Sequence, residues 1–331
     1  MTTQNIRFLA KTANLYYKEG LSQAEIAKRL CTSRASVGRA LKTAEEQGYI
    51  RVVFDFPSKS HFNVDLERQL ETNFSLNEVI IAENDDSDNA LLPVAQEAAL
   101  YLARSMKNHM SIGLTWGRTM EAIIRTFDRN ALYKDIKFSD IEIIPLTGTS
   151  IPSTADTKDL RLTYSSLLSS RFAEILKGRS YPFPAPLYVR SREVRDILLR
   201  EPEINSILKR GQNCQMAVFG IGIISKNSSM TALDPELTSS ILDLTSNGAV
   251  GEIMGHAFDR HGQTVPNEVS SRIIGISLED LRKIPQRVAV VCGKEKVSAI
   301  HAVCRSNLAN TLITDARTAF ALLEYQNEER N

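Results

Sequence analysis

The segment EGLSQAEIAKRLCTSRASVGRALKTAEEQGYIRV, residues 19–52, carries the signals from which the fold of the N-terminal part of this chain is predicted. It contains two short helical segments that are joined by the turn CTS, and Ser22 and Ser33 stand where helix N-caps are expected. Ser22 and Glu25 have the spacing of a capping box, in which each side chain bonds the backbone N–H of the other residue. Because Gly48 stops the second helix, the pattern predicts a helix-turn-helix unit.

Helical and extended patterns flank this stretch. In IRFLAKTANLYY, residues 6–17, apolar residues recur at intervals of three and four, which predicts an amphipathic helix that ends at Gly20. In YIRVVFDF, residues 49–56, the alternation predicts a short strand or wing. We therefore expect residues 1–56 to form a winged helix-turn-helix domain and residues 57–331 to form a second domain.

Positive charge is concentrated in the same two helices. Residues 28–42 include five basic and no acidic side chains, whereas the whole chain has 40 Lys and Arg against 39 Asp and Glu, for a net charge of +1. A nucleic-acid surface would therefore have to be local. A solvated basic hairpin that binds nothing is the alternative interpretation, but the tight turn and the two N-caps favour DNA binding.

The second helix of such a unit lies in the major groove, with its N-terminal residues at the base edges. Arg pairs with guanine in a bidentate manner, Ser bonds to either base, and Val contacts a thymine methyl group. We expect base contacts from Ser33, Arg34, Ser36, Val37 and Arg39, and phosphate contacts from Lys28, Arg29 and Lys42. Ser22, Gln23 and Thr32 complete the set of candidate DNA-binding residues. Gly38 is unusual in this helix, where it costs about 1 kcal/mol against Ala, and a close approach to the DNA backbone would explain it.

The composition excludes several classes of protein. Charged residues interrupt the apolar runs near the N-terminus, so no signal peptide is expected, and the longest apolar runs are shorter than the ~18–20 residues of a membrane span. The four cysteines lack CxxC spacing and the five histidines lack metal-ligand spacing. We therefore expect a cytoplasmic protein, associated with the nucleoid when bound to DNA, with no metal site, no cofactor and no membrane partner.

The second domain shows six short β-rich runs that alternate with helical patterns. The runs are EVIIA (78–82), MSIGL (110–114), IEIIPL (141–146), QMAVFGIG (215–222), RVAVVCG (287–293) and NTLIT (310–314). The helical patterns are residues 91–106, 117–127, 162–178, 294–304 and 315–325, and VDLERQLETNF (64–74) precedes the first run. Buried strands separated by amphipathic helices predict an α/β fold, in which a parallel sheet has helices on both faces.

Ligands of such sheets bind beyond the carboxyl ends of the strands, near helix N-termini. The segments TWGRT (115–119), TGTS (147–150), GIG (220–222) and CGKEK (292–296) follow four of the predicted strands. Their glycines allow close backbone approach, and their hydroxyl and N–H groups suit phosphate or hydroxyl ligands. Arg118 and Lys296 would neutralise an anion and Glu252 would accept from hydroxyls, which implies a small polyhydroxylated ligand with or without phosphate. Surface, capping or packing roles are the alternative for Arg118, Trp116 and Glu252.

Both halves of the chain resemble the SorC-type sugar-responsive transcriptional regulators of bacteria. LYYKEGLSQAEIAKRLCTSRASVGRALKTAEEQGYIRV resembles the family's DNA-binding segment, and GLTWGRTM, AVFGIGII, GAVGEIMGHAFDRHG, GISLEDLRKIP, VCGKEKVSAIHA and LITDARTA resemble its effector domain in the same order. The resemblance implies a winged helix-turn-helix joined to a Rossmann-like α/β effector domain of the sugar-phosphate isomerase and glucosamine-phosphate deaminase type. It also implies a homo-oligomer, a dimer or a tetramer, that binds operator DNA and a sugar or sugar phosphate.

Carried over residue by residue, the resemblance implies a set of effector-binding residues. They are Gly113, Thr115, Trp116, Gly117, Arg118, Thr147, Gly148, Gly220, Gly222, Glu252 and Lys296, to which we add Thr149. The chain departs from the family pattern at Thr149 and Cys292, where relatives commonly have glycine. It also departs at Thr147, where some relatives have a lysine that can bond covalently to an aldehyde sugar, because a threonine cannot form that imine.

The expected function is a DNA-binding transcriptional regulator of a carbohydrate catabolic operon, with repression favoured over activation and operator affinity set by a sugar or sugar phosphate. The alternative is an enzyme of the isomerase or deaminase class with an accessory DNA-binding domain. Such an enzyme needs a general acid and a general base, and Glu252 has no evident partner in any of the motifs. We therefore expect no catalytic residues.

Overall fold

A computed structural model of the protein describes residues 3–50, 63–83, 90–129, 138–149, 164–225 and 243–329. The chain divides into two compact units, Met1–His61 and Phe62–Asn331. Each unit has a hydrophobic core of its own.

The first unit contains the helices α1 (Thr3–Tyr17), α2 (Gln23–Arg29) and α3 (Arg34–Glu46). The predicted capping box is present: the Ser22 hydroxyl accepts from the Glu25 N–H at 3.3 Å, and the Glu25 carboxylate accepts from the Ser22 N–H at 2.8 Å. Ser33 caps α3 by accepting from the Ser36 N–H at 3.1 Å. Both N-cap predictions are confirmed, whereas the predicted wing, 49–56, lies outside the described residues apart from its first two positions.

The helices of this unit pack through branched apolar side chains. Leu15, Ile26, Val37 and Leu41 belong to one cluster, in which Ile26 and Val37 are fully buried. Burying such a side chain stabilises a fold by about 1.5–3 kcal/mol. The prediction that Val37 contacts a thymine methyl group is therefore wrong, because this side chain joins the three helices at the centre of the unit.

The second unit begins with α4 (Val64–Phe74) and continues as an alternation of strands and helices. The strands are β1 (Glu78–Ala82), β2 (Ser111–Leu114), β3 (Glu142–Pro145), β4 (Arg179–Ser180), β5 (Met216–Phe219), β6 (Ala249–Ile253), β7 (His256–Asp259), β8 (Gln286–Val290) and β9 (Thr311–Asp315). The helices are α5 (Leu91–Ser105), α6 (Arg118–Arg129), α7 (Ser165–Leu176), α8 (Arg192–Leu198), α9 (Pro202–Gln212), α10 (Leu278–Lys283), α11 (Val297–Arg305) and α12 (Ala316–Glu328). Two 3₁₀ turns are Ser270–Arg272 and Lys294–Lys296.

Seven of the described strands form one parallel sheet in the order β1-β9-β8-β5-β2-β3-β4, and β6 pairs with β7 in a separate antiparallel hairpin. Successive strand residues point to opposite faces, so β5 places Met216 and Val218 in one core and Ala217 and Phe219 in the other. The first face is covered by α5, α6 and α7, and the second by α4, α9, α11 and α12. The predicted parallel α/β sheet with helices on both faces is confirmed.

The strand order changes direction between β2 and β5. From β2 the chain adds β3 and β4 on one side, and from β5 it adds β8 and β9 on the other. Open parallel sheets bind their ligands at the carboxyl ends of the strands where the order reverses. The loops that begin at residues 115 and 220 follow these two strands, so the topology itself marks a binding position.

Several short elements were not predicted from the sequence. β4 has two residues, and α8 and α10 have seven and six, too few for a helical or alternating period to be recognised. The hairpin of β6 and β7 contains a β-bulge after its first pair, which disturbs the alternation. By contrast, α9 carries Ile204, Ile207 and Leu208 at helical spacing, a signal that was available in the sequence.

Candidate functional site

A cavity of about 190 Å³ lies at the carboxyl ends of β2 and β5. Its walls come from the loops after these strands, from the β6–β7 hairpin and from the 3₁₀ turn before α11. The lining residues are Thr115, Trp116, Gly117, Arg118, Thr119, Gly220, Ile221, Gly222, Ile223, Glu252, Met254, Glu295 and Lys296. Eight of the twelve predicted effector-binding residues are thus brought together: Thr115, Trp116, Gly117, Arg118, Gly220, Gly222, Glu252 and Lys296.

Two basic residues line this cavity at helix starts. Arg118 is the first residue of α6, and Gly117 before it has φ = +114°, a conformation that residues with a side chain rarely adopt. The first N–H groups of a helix lack intrahelical partners and favour anions. Lys296 ends the 3₁₀ turn that leads into α11. No carboxylate of the described residues lies within 4.0 Å of either basic group, so both are available to an anionic ligand.

The turn that carries Lys296 is held by the start of α12. Gly293 has φ = +114°, and its N–H donates to the Thr318 hydroxyl at 2.8 Å and to the Asp315 carboxylate at 3.4 Å. Asp315 is buried at the end of β9 and also accepts from the Thr318 N–H at 3.1 Å, as the N-cap of α12. The end of β9 therefore fixes the turn beside the cavity.

Of the two acidic residues in the cavity lining, Glu295 is exposed and Glu252 is buried. Glu252 is 7% exposed, and its carboxylate accepts from the Gly255 N–H at 2.9 Å. Burial raises the pKa of this carboxyl, against the opposing effects of the Gly255 N–H and of Lys296. The Glu252 backbone pairs with Gly222, where an added Cβ would lie 2.0 Å from the carboxylate oxygen. Gly222 is therefore required by the position of Glu252.

Two glycines that were predicted to bind effector lie outside this lining. Gly113 is inside β2, where an added Cβ would come within 2.5 Å of the Leu146 side chain. At Gly148 an added Cβ would come within 2.3 Å of the Pro186 carbonyl oxygen. Close packing between neighbouring chain segments accounts for glycine at both positions.

Thr147 and Thr149 also lie outside the lining. Thr147 is fully buried and forms an isolated antiparallel bridge with Gly275. The Thr149 hydroxyl donates to the Ser166 hydroxyl at 3.2 Å. The described start of the loop after β3, residues 146–149, therefore packs against neighbouring segments and does not contribute to the described lining of the cavity.

Five lining residues were not in the predicted set: Thr119, Ile221, Ile223, Met254 and Glu295. Thr119, Ile221 and Glu295 stand inside the predicted ligand segments TWGRT, GIG and CGKEK, and Ile223 and Met254 stand in the longer motifs AVFGIGII and GAVGEIMGHAFDRHG. Met254 follows Glu252 in the β6–β7 hairpin, which was not predicted. Its place in the wall depends on that hairpin.

The exposed face of α3 carries most of the predicted base-reading groups. Arg34 and Arg39 are exposed, and Ser36 is half-buried. No described carboxylate lies within 4.0 Å of either guanidinium. Ala35, which is not among the predicted DNA-binding residues, is also exposed on this helix. It offers the small apolar contact that buried Val37 cannot make.

Other predicted DNA-binding residues have partners within the unit. The Arg29 guanidinium lies 2.7 Å from the Glu19 carboxylate, and Lys42 lies 3.8 Å from Glu46. Exposed pairs of this kind contribute about 0–1 kcal/mol, so both cations can still exchange a carboxylate for a phosphate. Lys28 is exposed, Thr32 and Gln23 are half-buried, and the Ser22 and Ser33 hydroxyls serve as helix caps.

Some other kinds of site are absent from the described parts of the chain. No helix there is both long and apolar enough to cross a membrane. Within the same ranges, no group of three or more His, Cys, Asp or Glu residues could hold a metal ion. Cys31, Cys214, Cys292 and Cys304 are free thiols, and burial raises the pKa of Cys214 and Cys304 to about 12.

Two sequence families match the chain. The family described as "Putative sugar-binding domain" matches residues 58–324, and the MarR family matches residues 13–55. The first match covers most of the chain and includes every residue of the cavity lining. The second covers α2 and α3 with the last five residues of α1.

Relatives match over nearly the full length of the chain. The deoxyribonucleoside regulator of Bacillus subtilis is 28% identical over 95% of this chain and 96% of its own, and the transcriptional regulator LsrR of Escherichia coli is 30% identical over 95% and 94%. The crystal structure of the full-length sorbitol operon regulator SorC from Klebsiella pneumoniae superposes with a TM-score of 0.70 at 25% identity, covering 97% of this chain and 100% of that one. The similarity therefore extends across both units.

Proposed function

The chain belongs to the family of SorC-type sugar-responsive transcriptional regulators, and we propose that it represses a carbohydrate catabolic operon under the control of a sugar phosphate. It is a DNA-binding regulator with an α/β sugar-binding domain; its relatives are named as transcriptional regulators, and an enzymatic function is not supported. We assign residues 1–56 to DNA binding, and residues 57–331 to effector binding and oligomerisation with a fold of the sugar-phosphate isomerase and deaminase type. The protein acts in the cytoplasm as a homo-oligomer.

One observation carries the choice of effector. Arg118, Lys296 and the buried Glu252 line a single cavity at the reversal point of the sheet. A phosphate group fits beside the start of α6, where helix N–H groups and the two cations favour a dianion. The Glu252 carboxylate accepts hydrogen bonds from sugar hydroxyls. A phosphorylated sugar or polyol satisfies both requirements in one molecule.

The effector binds without a covalent bond to residue 147. Thr147 has no amine for an imine and is fully buried outside the cavity lining. The ligand can therefore be a polyol phosphate, which has no aldehyde. Some relatives are named after polyols, as the sorbitol operon regulator and the erythritol catabolism regulatory protein of Brucella abortus are.

Regulation follows if the effector prefers one conformation of the protein, because equal affinity for both conformations would leave the operator affinity unchanged.

The proposed DNA contacts depend on α3, where Arg34, Ala35 and Arg39 are exposed. Lys28, Arg29 and Lys42 contribute phosphate contacts, which make binding sensitive to salt.

Arg39→Ala tests base reading. We expect it to weaken binding to the DNA upstream of the protein's own operon by about 1–3 kcal/mol and to relax the base preference at one position. Fluorescence anisotropy with full-length protein, across a series of salt concentrations, measures both effects. Lys11→Ala is the matched control, because Lys11 is an exposed cation on α1 of the same unit. A wild-type protein without salt-sensitive specific binding would overturn the DNA assignment.

Lys296→Ala tests the effector cavity. A true effector stabilises the folded protein, by about 2.7 kcal/mol at one hundred times its Kd. A thermal-shift screen of pentoses, hexoses, polyols and their phosphates should find a ligand for the wild type, and Lys296→Ala should abolish its shift. Lys294→Ala is the control, because Lys294 is exposed in the same 3₁₀ turn but does not line the cavity. If Lys294→Ala lost the thermal shift to the same extent as Lys296→Ala, the assigned position of the effector would be contradicted.

A further inference from the structure

A second cavity, of about 430 Å³, lies beside α11 and α12, against the loop after β7. It shares no lining residue with the cavity at the strand ends. Basic and hydroxyl side chains dominate its walls: Arg260, His261, Ser298, His301, Arg305 and Tyr325. Glu329 is the acidic residue of the lining.

The two arginines of this cavity have no acidic partner in the described chain. No carboxylate of the residues described lies within 4.0 Å of the guanidinium of Arg260 or Arg305. The Nε of Arg260 instead donates to the His261 imidazole at 3.1 Å. Two guanidinium groups on separate elements, facing one cavity, create a local excess of positive charge.

The walls that hold these groups are fixed by the fold. The Asp259 carboxylate accepts from the backbone N–H groups of His261 and Gln263, both at 2.9 Å, which orders the loop after β7. On the opposite side, the His301 Nε2 lies 2.6 Å from the Oε1 of Gln326, which is 2% exposed. The fold therefore holds the backbone that carries Arg260 and the ring of His301 in place, while the Arg260 and Arg305 side chains are exposed.

Such a donor set fits a tetrahedral oxyanion. Guanidinium groups bind phosphate oxygens in a bidentate manner, and the Ser298 hydroxyl adds a further donor. A phosphate group also offers enough acceptor oxygens to engage several donors at once. We propose that this cavity is a second ligand site, which binds the phosphate group of a small soluble metabolite.

The test removes each site separately in the full-length protein. The background variant Arg118→Ala/Lys296→Ala eliminates the cations of the cavity at the strand ends. Arg260→Ala/Arg305→Ala is then added to it, and Lys107→Ala/Lys209→Ala, two exposed lysines of the same unit, is the charge-matched control. Inorganic phosphate is the probe, titrated at constant ionic strength against chloride, with isothermal calorimetry and thermal shift as readouts.

We expect the background variant to retain phosphate binding, and the added arginine substitutions to weaken it at least tenfold while the control leaves it unchanged. Arg305→Gln alone should weaken it less and serves if the double substitution fails to fold. Unchanged affinity without both arginines, or an equal loss in the control, would overturn the proposal. Sedimentation provides one more check. If the oligomer of the arginine variant dissociates while the variant still binds phosphate, the cavity is a contact between copies and the proposal is overturned. Failure of the strand-end site appears separately, in the screen with Lys296→Ala.

Discussion

At the scale of single residues, Gly38 shows how position changes the meaning of an unusual residue. It lies within α3 and is half-buried, and an added Cβ would lie 3.4 Å from the Oε1 of Gln23, an ordinary contact with a flexible side chain. The fold of the unit therefore does not exclude a methyl group here. The glycine must have another reason, and the close approach to the DNA backbone proposed from the sequence remains the explanation to test.

Gly38→Ala should raise the free energy of unfolding by about 0.5–1 kcal/mol, because alanine loses less backbone entropy in a helix than glycine does. The same variant should bind operator DNA more weakly if the backbone of α3 approaches a phosphate at this position. Urea unfolding and anisotropy on the same preparations measure the two effects. A more stable variant with unchanged DNA affinity would refute the contact.

His256 makes stability depend on pH. It is buried in β7, where its Nε2 lies 3.2 Å from the Ile276 carbonyl oxygen, and burial lowers the pKa of its imidazole to about 4. Between about pH 6.5 and 4 the unfolded chain binds a proton that the folded chain does not bind. The stability that neutral His256 contributes is therefore complete above pH 6.5 and is lost as the pH falls towards 4.

His256→Gln should reduce this pH dependence of the free energy of unfolding, by an amount on the order of 3 kcal/mol between pH 7 and 4. Glutamine cannot take up the proton but can still donate to the carbonyl oxygen. His109→Gln, at a histidine whose side chain is 71% exposed, is the control and should leave the slope nearly unchanged. If the free energy of unfolding of His256→Gln changes with pH as steeply as that of the wild type, His256 is not the source of the pH dependence.

At the scale of elements, α4 protects the edge of the sheet. β1 is an edge strand, and the outward N–H groups of Val79 and Ile81 donate to the carboxylates of Glu71 and Glu67, both at 2.9 Å. Burial raises the pKa of Glu67 despite this hydrogen bond. Edge strands with free N–H groups invite pairing with other chains. The helix thus satisfies the edge with its own side chains.

Glu67→Ala should lower the free energy of unfolding by about 1–3 kcal/mol, because it leaves a partly buried N–H without an acceptor. Glu67→Gln should cost less, since its amide oxygen can still accept. Chemical denaturation compares the two, and light scattering should show more association of the alanine variant at high concentration. Equal costs for alanine and glutamine would mean that the acceptor at the edge contributes nothing.

The helix α11 connects three parts of the second unit. It begins directly after Lys296 of the strand-end cavity. Further along, the His301 ring makes edge contacts with Phe74 of α4 at 5.5 Å and with Tyr325 of α12 at 5.1 Å between ring centroids. One rigid element therefore contacts both cavities and the first helix of the unit.

At the scale of the whole molecule, the order of the strands creates the site. Strand positions along the chain do not show that β2 and β5 are neighbours, because Gly113 and its partner Ala217 are 104 positions apart and the pairing is decided by packing on both faces of the sheet. Once they pair, the loops after them form one cavity. Residues such as Met254 then enter its wall from a hairpin that local pattern could not predict.

Local features follow directly from the order of residues: the N-caps of α2 and α3, the basic stretch, and the alternation of strands and helices, because each depends on residues a few positions apart. The sequence also pointed to Arg118 and Lys296, since they stand in loops after predicted strands, and to Glu252 through the motif GAVGEIMG. Long-range packing is what buries Val37 in the core, keeps Thr147 and Gly148 out of the cavity lining, and forms a second basic cavity. Those outcomes depend on which distant segments pack together, and burial and close approach are properties of that packing.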